Sequence, residues 1–422
     1  MDRSQQLAAH VIGQVLAGRN LTQTLEAMWR QYPKLSHQQR GMTQELSYGT
    51  LRYYGRLQAL LQPLLSRKLD DERVYFLLLV GLYQLEYGHA SHYAVVDHAV
   101  KSAGHLKKPW AKGLVNAVLR NFLRQRPSLL QAIENDEAAM FSYPQWWIDK
   151  LRVQYPERWQ SILEAGNQRP PMTLRVNCRL STPEHYLNQL KDLGMPARAL
   201  GGSALMLEQP VSVDALPGFV DGVVSVQDYG AQFAAQLLDL HVGMRVLDAC
   251  CAPGGKTGHM LELADIALTA VDSDHERLNR TRSNLARIQR AADLRVGDAA
   301  NPFGWWDGAS HYDRILADVP CSASGIVRRH VDIKWLRREA DLRNFTRQQA
   351  AILRGLWPTL AKGGKLLYAT CSVFLEENQH QIDEFLAEQA NARQLPLPGL
   401  ESGQLLPCDE HDGFFYALLE KR

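Results

Sequence analysis

The sequence predicts a multidomain protein that combines an all-α bundle, a small α+β linker module and an α/β domain with a doubly wound, Rossmann-like sheet. Its 422 residues are enough for two or three domains. Apolar residues recur at helical spacing over the first third of the chain, whereas strand-like runs alternate with helical segments and short loops over nearly the last half. We place the three domains at residues 1–140, 141–230 and 231–422.

The first domain is predicted to be helical throughout. Val11, Ile12 and Val15 stand at helical spacing between Ala8 and Leu16. Few strand-like alternations follow, so we expect a bundle of six or seven helices. The later segments with helical spacing are Glu45–Leu65, Val74–Tyr87, His98–Ala103 and Gly113–Leu123.

Basic residues cluster in the last part of this bundle. Lys112, Arg120 and Arg124 have a spacing that suits one helix face, although Lys112 and Arg120 are slightly more than two turns apart. Two interpretations are open, a solvated helix surface or a face that contacts phosphate groups. The cluster consists of Lys101, Lys107, Lys108, Lys112, Arg120, Arg124 and Arg126.

A break at Gln168–Pro171 separates the helical part from the linker module, because the two prolines cannot continue a helix. The module is predicted to hold three strands and one helix, and to act as a bridge to the third domain. We place the strands at Met172–Asn177, Ala204–Leu207 and Gly222–Gln227, and the helix at Pro183–Leu193.

The third domain alternates strands and helices, which is typical of a doubly wound sheet. A final hairpin is expected around Gly413–Leu419, and Pro396–Gly403 is expected to be a surface loop. The predicted strands are Arg245–Asp248, Ile266–Val271, Asp293–Val296, Arg314–Asp318 and Gly364–Ala369, and the predicted helices are Lys256–Leu263, His275–Gln289, Asp341–Leu356 and Glu376–Gln389.

The stretch Arg245–Thr257 reads as a strand, a glycine turn and the start of a helix. Glycines let the backbone approach a ligand, and the N–H groups of a helix start attract a carboxylate or phosphate. A P-loop is excluded because Cys250 stands where its first glycine should be, and the dinucleotide fingerprint is absent. The stretch is therefore either a cofactor loop that need not hold a pyrophosphate, or an ordinary strand-to-helix turn.

Two acids follow the next two strands. Asp272 comes 24 residues after Asp248, a distance at which an acid commonly binds ribose hydroxyls. The alternative role, a helix N-cap, is one that Ser273 or Asp274 would also serve. Asp298 follows the third strand and is placed to accept a hydrogen bond from an adenine amino group, or else is a turn aspartate.

Cysteines follow the fourth and fifth strands. Cys321 lies just past Asp318, Cys371 follows Thr370, and each cysteine precedes a serine. A buried cysteine is usually inert packing, but two on the same rim favour a reactive pair. Cys178 and Cys408 lack this setting, and they are interpreted as bystanders.

Composition and motifs exclude several other classes. The longest apolar run, Val74–Leu82, is shorter than a bilayer requires, and no secretory signal is expected at Met1–Ser4. Six cysteines without C-x-x-C predict free thiols in a cytoplasmic protein with no metal site. Pro320-Cys321 resembles half of a zinc deaminase signature, but neither P-C-x-x-C nor H-x-E occurs.

Taken together, these residues resemble the NOL1/NOP2/Sun family of S-adenosylmethionine-dependent RNA cytosine-5 methyltransferases. The resemblance lies in D-x-P-C-S at Asp318–Ser322, in T-C-S at Thr370–Ser372 and in Glu376-Glu377-Asn378. Residues 1–140 are similar to the NusB family of RNA-binding domains through Tyr48–Arg52 and Val115–Arg120. This combination, with Gly325–His330 and Asp332–Trp335, is similar to members that act on 16S ribosomal RNA.

The resemblance implies a role for each candidate residue. Asp272, with Arg277 beside it, would hold the ribose of S-adenosyl-L-methionine, and Asp298 would hold the adenine. Asp318 would line the methyl-transfer site, Cys371 would be the nucleophile and Cys321 the thiol that releases the product. The cofactor loop would comprise Cys250, Cys251, Ala252, Pro253, Gly254, Gly255 and Lys256. Cys251 departs from the family, in which many members carry alanine.

The implied partner is 16S ribosomal RNA, bound by a monomer, with no DNA and no membrane. A DNA enzyme would lack the thiol at Cys371, whereas a tRNA substrate stays open. A non-catalytic RNA assembly factor is a further alternative, disfavoured by the intact acids and cysteines. A basic run after the Cys321 loop is expected to contact phosphate groups: Arg328, Arg329, Lys334, Arg337, Arg338, Arg343 and Arg347.

Overall fold

The computed structural model describes residues 1–106 and 108–422, and the chain forms two compact units. The first comprises Met1–Gln168 together with Val327–Glu339. The second comprises Arg169–Ile326 and Ala340–Arg422. The chain thus leaves the second unit after the Cys321 loop and returns to it thirteen residues later.

The first unit is built from helices, and five of the ten between Asp2 and Asn167 begin at a residue whose side chain caps the first turn. Asn20, Ser36, Asp71 and Ser91 each accept a backbone N–H of the helix that follows. The apolar faces of the helices between Asp2 and Phe141 meet in one core. The α-helices between Asp2 and Asn167 are α1 (Asp2–Leu16), α2 (Leu21–Gln31), α3 (His37–Arg52), α4 (Tyr54–Leu61), α5 (Glu72–Tyr87), α6 (His92–Gly104), α7 (Pro109–Ala132), α8 (Glu137–Phe141), α9 (Gln145–Gln154) and α10 (Trp159–Asn167), and a short helix at Ile333–Leu336 belongs to the same unit.

The helix predicted over Glu45–Leu65 is two helices in the structure. α3 ends at Arg52 and α4 begins at Tyr54. The hydroxyl of Ser142 accepts from the backbone N–H groups of Gly55 and Arg56, at 3.0 and 3.4 Å. The start of α4 is therefore stabilised by a residue distant in sequence, which local periodicity does not reveal.

The segment Val327–Glu339 is held in the first unit by a buried lysine. The ammonium of Lys334 donates to the carbonyl oxygens of Arg52 and Ser142 and to Asn167 Oδ1, at 2.7, 2.9 and 2.8 Å. Asp332 accepts from the backbone N–H of Leu21 at 2.9 Å. The prediction that Lys334 and Arg328 contact phosphate is wrong, because both side chains are buried. Arg338, Arg343 and Arg347 are exposed.

The basic residues of α6 and α7 fall into two groups, according to whether the side chain they contact is acidic or neutral. Lys101, Lys108 and Arg126 form ion pairs with Asp97, Asp71 and Glu86 respectively. The exposed Arg120 and Arg124 instead donate to neutral asparagines, Asn116 and Asn121. Lys112 is also exposed, and Lys107 lies outside the described residues.

The second unit opens with a four-stranded antiparallel sheet in the order β2-β3-β1-β4. The strand β2 was not predicted. It is an edge strand whose residues are mostly exposed, so it has no alternation of apolar and polar residues. The elements are β1 (Met172–Val176), α11 (Pro183–Asp192), β2 (Ala197–Gly201), β3 (Ala204–Leu207) and β4 (Val224–Val226).

The larger sheet of this unit has the order β10-β12-β9-β8-β5-β6-β7, with β11 paired to β12. The five strands β7, β6, β5, β8 and β9 are parallel, and β12 runs antiparallel to β9. The strands are β5 (Arg245–Ala249), β6 (Ala267–Asp272), β7 (Asp293–Val296), β8 (Tyr312–Asp318), β9 (Leu360–Thr370), β10 (Ala392–Leu395), β11 (Gln404–Leu405) and β12 (Phe414–Lys421).

Helices cover both faces of the larger sheet, as a doubly wound fold requires. Leu247 and Ile315 pack in a core with Ile352 and Phe385, whereas the alternate residue Val246 packs in a second core with helices on the opposite face. The helices are α12 (Tyr229–Leu237), α13 (Gly255–Leu263), α14 (His275–Arg287), α15 (Leu342–Leu356) and α16 (Gln379–Glu388). The described helices include none with the length and apolar character needed to cross a membrane.

We predict that Lys334→Ala lowers the free energy of unfolding of the first unit by about 2–5 kcal/mol, because three buried acceptors lose their donor. Urea unfolding of the full chain measures the change. Lys34→Ala, at an exposed position, serves as the control. Equal unfolding midpoints for the two variants would contradict the structural role given to Lys334.

Candidate active site

The turn after β5 places two glycines, which have no side chains, at the carboxyl edge of the larger sheet. Cys250 and Gly254 both have positive φ, at 63° and 92°. A Cβ added to Gly254 would lie 2.7 Å from Thr281 Cγ2, so only glycine fits there. At Gly255, where α13 begins, an added Cβ would meet no atom closer than 4.0 Å. The turn therefore leaves space on one side of the helix start.

Asp272 and Arg277 both contact the turn. Asp272, buried at the end of β6, accepts the backbone N–H of Ala252 at 3.1 Å and that of Asp274 at 3.0 Å. Arg277 donates to the carbonyl oxygen of Ala252 at 2.7 Å. The N-cap of α14 is Asp274, so Asp272 is not needed for that role. The acid and the cation together fix the backbone between Cys251 and Pro253.

Asp248 lies beneath the turn, at the end of β5. Its Oδ2 accepts from the hydroxyl of Thr257 at 2.6 Å, and its Oδ1 has no hydrogen-bond partner among the described residues. Burial raises the pKa of Asp248 to about 7, although the hydrogen bond from Thr257 acts to lower it. This aspartate therefore supports the turn from inside the fold.

Asp298 follows β7, one strand further along the same edge. Its side chain is exposed, and its Oδ1 accepts the backbone N–H of Ala300 at 2.9 Å. Its side chain forms no hydrogen bond with Asp272 or with the turn among the described residues, so its expected role depends on a ligand that reaches both.

Lys256 and Asp318 form an ion pair at this edge. Lys256 Nζ lies 2.5 Å from Asp318 Oδ2, and the lysine side chain is largely buried. Burial alone would lower the pKa of Lys256, but the charge and hydrogen bond of Asp318 raise it overall. The pair keeps a lysine cation beside the carboxyl ends of β5 and β8.

Cys321 and Cys371 meet at the ends of β8 and β9, with 3.4 Å between their sulfur atoms. The two strands are parallel and Asp318 is paired with Ala369, so the loops that follow leave the sheet side by side. The backbone N–H of Gly325 also donates to the carbonyl oxygen of Cys371 at 2.9 Å. The pKa of the Cys321 thiol is raised well above its usual value by its hydrogen bond with Cys371 and by burial.

The other four cysteines lie in different settings. Burial raises the pKa of both Cys250 and Cys251 far above the usual range, which disfavours their thiolates. Cys178 is exposed, and Cys408 is half-buried on the loop before β12. All six are free thiols, and the described residues contain no cluster suited to a metal ion.

The sequence analysis gave no role to two residues that support the site. Arg175, on β1, donates to both carboxylate oxygens of Glu262 and to the carbonyl oxygen of Gly255 in the turn, the last at 3.0 Å. Glu377 accepts from the serines that follow the two cysteines. The repeated Cys-Ser pair was a signal for the second arrangement, whereas no local pattern pointed to Arg175.

Comparison with family models gives three matches along the chain. The 16S rRNA methyltransferase RsmB/F family matches residues 235–420, the ferredoxin-like domain of RsmF/B-like methyltransferases matches residues 143–214, and the NusB family matches residues 2–124. The predicted fold class is confirmed, with a NusB-like helical part, a ferredoxin-like linker and a Rossmann-like sheet. The division at residues 140 and 230 stays a prediction.

Curated relatives match over nearly the whole chain. Ribosomal RNA small subunit methyltransferase B of Pseudomonas putida is 45% identical and covers 98% of this chain and 97% of its own. The protein of the same name from Pseudomonas syringae pv. tomato is 44% identical, with 98% and 96% covered. The crystal structure of PH0851 covers 99% of both chains with a TM-score of 0.81 at 22% identity, and so shares the fold.

Identity of this extent over both full lengths confirms the resemblance drawn from the cysteine blocks and the glycine turn. The chain belongs to the 16S rRNA methyltransferase RsmB/F family of S-adenosylmethionine-dependent enzymes.

Proposed function

We propose that the protein methylates C5 of a cytosine in 16S ribosomal RNA through a transient bond between Cys371 and C6 of the ring. The observation that carries the proposal is the 3.4 Å separation of the Cys321 and Cys371 sulfur atoms at the carboxyl edge of the parallel sheet. Ligands of open α/β sheets bind at this edge, where the strand order reverses. The reversal lies between β5 and β8, the strands that carry the glycine turn and Asp318.

The residues at this edge fit S-adenosylmethionine. Gly254 has no room for a side chain, and the space beside Gly255 lets a ligand approach the backbone. We assign the ribose to Asp272, supported by Arg277, and the adenine to Asp298. The rest of the assigned cradle is Cys250, Cys251, Ala252, Pro253, Gly254, Gly255, Lys256 and Asp318. When bound, the cofactor supplies an electrophilic methyl group to the activated C5 carbon.

The two thiols divide the remaining work. C5 of cytosine is a weak nucleophile, and addition of the Cys371 thiolate to C6 converts it into an enamine-like carbon. After methylation the C5 proton is taken by a water that Cys321 positions, or by Cys321 itself once its thiol has lost its own proton to solvent. The C5–H electron pair then restores the ring double bond, the C6–S bond breaks, and Cys371 leaves as a thiolate within hydrogen-bond distance of Cys321.

Asp318 is assigned to the N3/N4 edge of the cytosine. Its carboxylate accepts a hydrogen bond from the N4 amino group, which orients the ring for addition at C6. Lys256, 2.5 Å from Asp318, compensates the charge of the carboxylate in this half-buried position. The lysine therefore reduces the electrostatic repulsion between Asp318 and the phosphate groups of the RNA.

The substrate must present an unstacked cytosine, because the thiols lie at a rim that a paired base does not reach. We therefore assign the substrate to a loop, a bulge or incompletely folded 16S ribosomal RNA. The NusB-like part contributes phosphate contacts through Arg120 and Arg124 on α7, the arginines whose charge is not compensated by the asparagines they contact. A monomer acting in the cytoplasm stays a prediction.

We predict opposite behaviour for the two cysteine variants. Cys371→Ala abolishes the covalent adduct with RNA that contains 5-fluorocytosine, because no thiolate adds to C6. Cys321→Ala accumulates an adduct on unmodified RNA, because release is impaired. Denaturing gels measure the adducts, and Cys178→Ala is the active control. Adducts trapped by Cys371→Ala and blocked by Cys321→Ala would mean that the roles are reversed.

We predict that Gly254→Ala weakens S-adenosylmethionine binding about tenfold or more, an increase of about 1.4 kcal/mol in binding free energy. The reason is the contact with Thr281, which displaces the turn. Gly243→Ala is the matched control, since Gly243 also has positive φ, at 84°, but faces open space. Calorimetric titration gives the dissociation constants of both variants. Equal values would show that the turn is not part of the binding site.

We predict that Arg120→Ala/Arg124→Ala weakens RNA binding and lowers the slope of log K against log salt by about 1–2, because two phosphate contacts are lost. Filter binding at several salt concentrations measures the slope. The control is Glu86→Ala/Arg126→Ala, which removes an ion pair without changing the net charge. A slope equal to that of the unsubstituted protein would exclude this face of α7 from the RNA interface.

A further inference from the structure

A buried polar cluster joins the two cysteine loops. The carboxylate oxygen Oε2 of Glu377 accepts from the hydroxyls of Ser322 and Ser372, each at 2.5 Å. Oε1 accepts the backbone N–H of Ser322 at 2.8 Å. Ser322 and Ser372 directly follow Cys321 and Cys371, and all three side chains of the cluster are fully buried. One carboxylate thus contacts both loops immediately after their thiols.

Gln349, on α15, extends the cluster to the other side of Cys321. Its amide nitrogen donates to Glu377 Oε1 at 3.1 Å and to the carbonyl oxygen of Pro320 at 3.0 Å. Since a backbone carbonyl only accepts, the amide nitrogen is correctly oriented toward both. Glu377 is therefore the acceptor in four hydrogen bonds, which is the behaviour of an ionised carboxylate.

The next residue in sequence ties the ends of the Cys371 loop together. Asn378 Oδ1 accepts from the hydroxyl of Thr370 at 2.6 Å, and its amide nitrogen donates to the carbonyl oxygen of Ser372 at 2.9 Å. The residues on both sides of Cys371 are thus held from the same turn of chain, Leu375–Glu377 and Asn378.

The donors around Glu377 are neutral, and burial raises the pKa of its carboxyl group while the serine hydroxyls oppose the shift. A buried carboxylate costs free energy unless it is hydrogen-bonded, and apolar residues often replace such groups without loss of stability. A role in the reaction accounts for the presence of this group better than a role in folding does.

We propose that Glu377 is a positioning residue for methyl transfer, which sets the distance between the two sulfur atoms and places its negative charge beside Cys321. That charge disfavours a second negative charge on Cys321, so the thiolate of the pair is held on Cys371. Consistent with this, the hydrogen bond with Cys371, burial and the Glu377 charge all raise the pKa of Cys321. The proposal rests on the proposed function only for the roles given to the two sulfur atoms.

Glu377→Gln tests the proposal by kinetics. Glutamine removes the charge and replaces one acceptor oxygen by a donor. We expect kcat for methylation of undermodified 16S ribosomal RNA to fall about 100-fold, the size of effect that a misplacement of about 1 Å produces. The KM values for RNA and cofactor should stay within about twofold, since Glu377 lies outside the assigned binding residues. Glu384→Gln, at an exposed position on α16, is the control.

Thiol labelling separates positioning from simple structural support, and it needs neither RNA nor cofactor. The iodoacetamide rate, read by mass spectrometry, should be lower at Cys321 than at Cys371 in the unsubstituted protein, because only the thiolate form reacts and the thiolate of Cys321 is disfavoured. Glu377→Gln should increase the rate at Cys321, whereas Glu377→Asp keeps the charge and should leave Cys321 slow. Phenylarsine oxide, which bridges two neighbouring sulfur atoms, should bind less tightly to both variants.

The proposal is overturned if folded Glu377→Gln keeps kcat within about twofold of the unsubstituted protein, or if its Cys321 labelling rate is unchanged. Should Glu377→Gln not fold, Ser322→Ala/Ser372→Ala decides: a loss of kcat supports the proposal, and full activity overturns it. Failure of the proposed function gives a different result. Cys371→Ala would then stay active, whereas the labelling rates would still report on the role of Glu377.

Discussion

The contact between two sulfur atoms depends on how two parallel strands are paired. β8 and β9 lie side by side with Asp318 opposite Ala369, so the loops after them start at the same height on the sheet. Without this register, Cys321 and Cys371 would be separated by the rise of one or more residues, about 3.3 Å each. The contact between the sulfur atoms thus depends on backbone hydrogen bonds deep in the sheet, and the apolar residues Leu316, Leu367 and Leu366 bury those strands.

The fold class and most elements could be predicted because their signals are local. The glycine turn, the acids at strand ends and the two cysteines all follow apolar runs of the right length, and parallel strands bring their carboxyl ends to one edge. The edge strands β2 and β10 were missed because none of their residues is buried and they carry no alternation. The break between α3 and α4 was missed because its stabilising group, Ser142, is distant in sequence.

Charged residues were the least predictable part of the site. The sequence predicted a phosphate-binding run that included Lys334 and Arg328. Both side chains are buried in the first unit, where Lys334 donates hydrogen bonds to three acceptors. Sequence gives the position of a charge along the chain but not the acceptors that surround it. The same limit applies to Glu377, whose motif was noted while its partners, the serines after each cysteine, became apparent only from the fold.

Besides the exposed Asp298, the carboxyl edge of the sheet carries three aspartates, and each is balanced in a different way. Asp318 is paired with Lys256, and Asp272 accepts two backbone N–H groups with Arg277 nearby at 3.7 Å. Asp248, with a pKa of about 7 caused mainly by burial, is neutralised by its own proton below that pH. Had all three been charged without compensation, their repulsion would open the turn that they hold. Because each acid is balanced locally, the turn keeps its closed geometry at the carboxyl edge of the sheet.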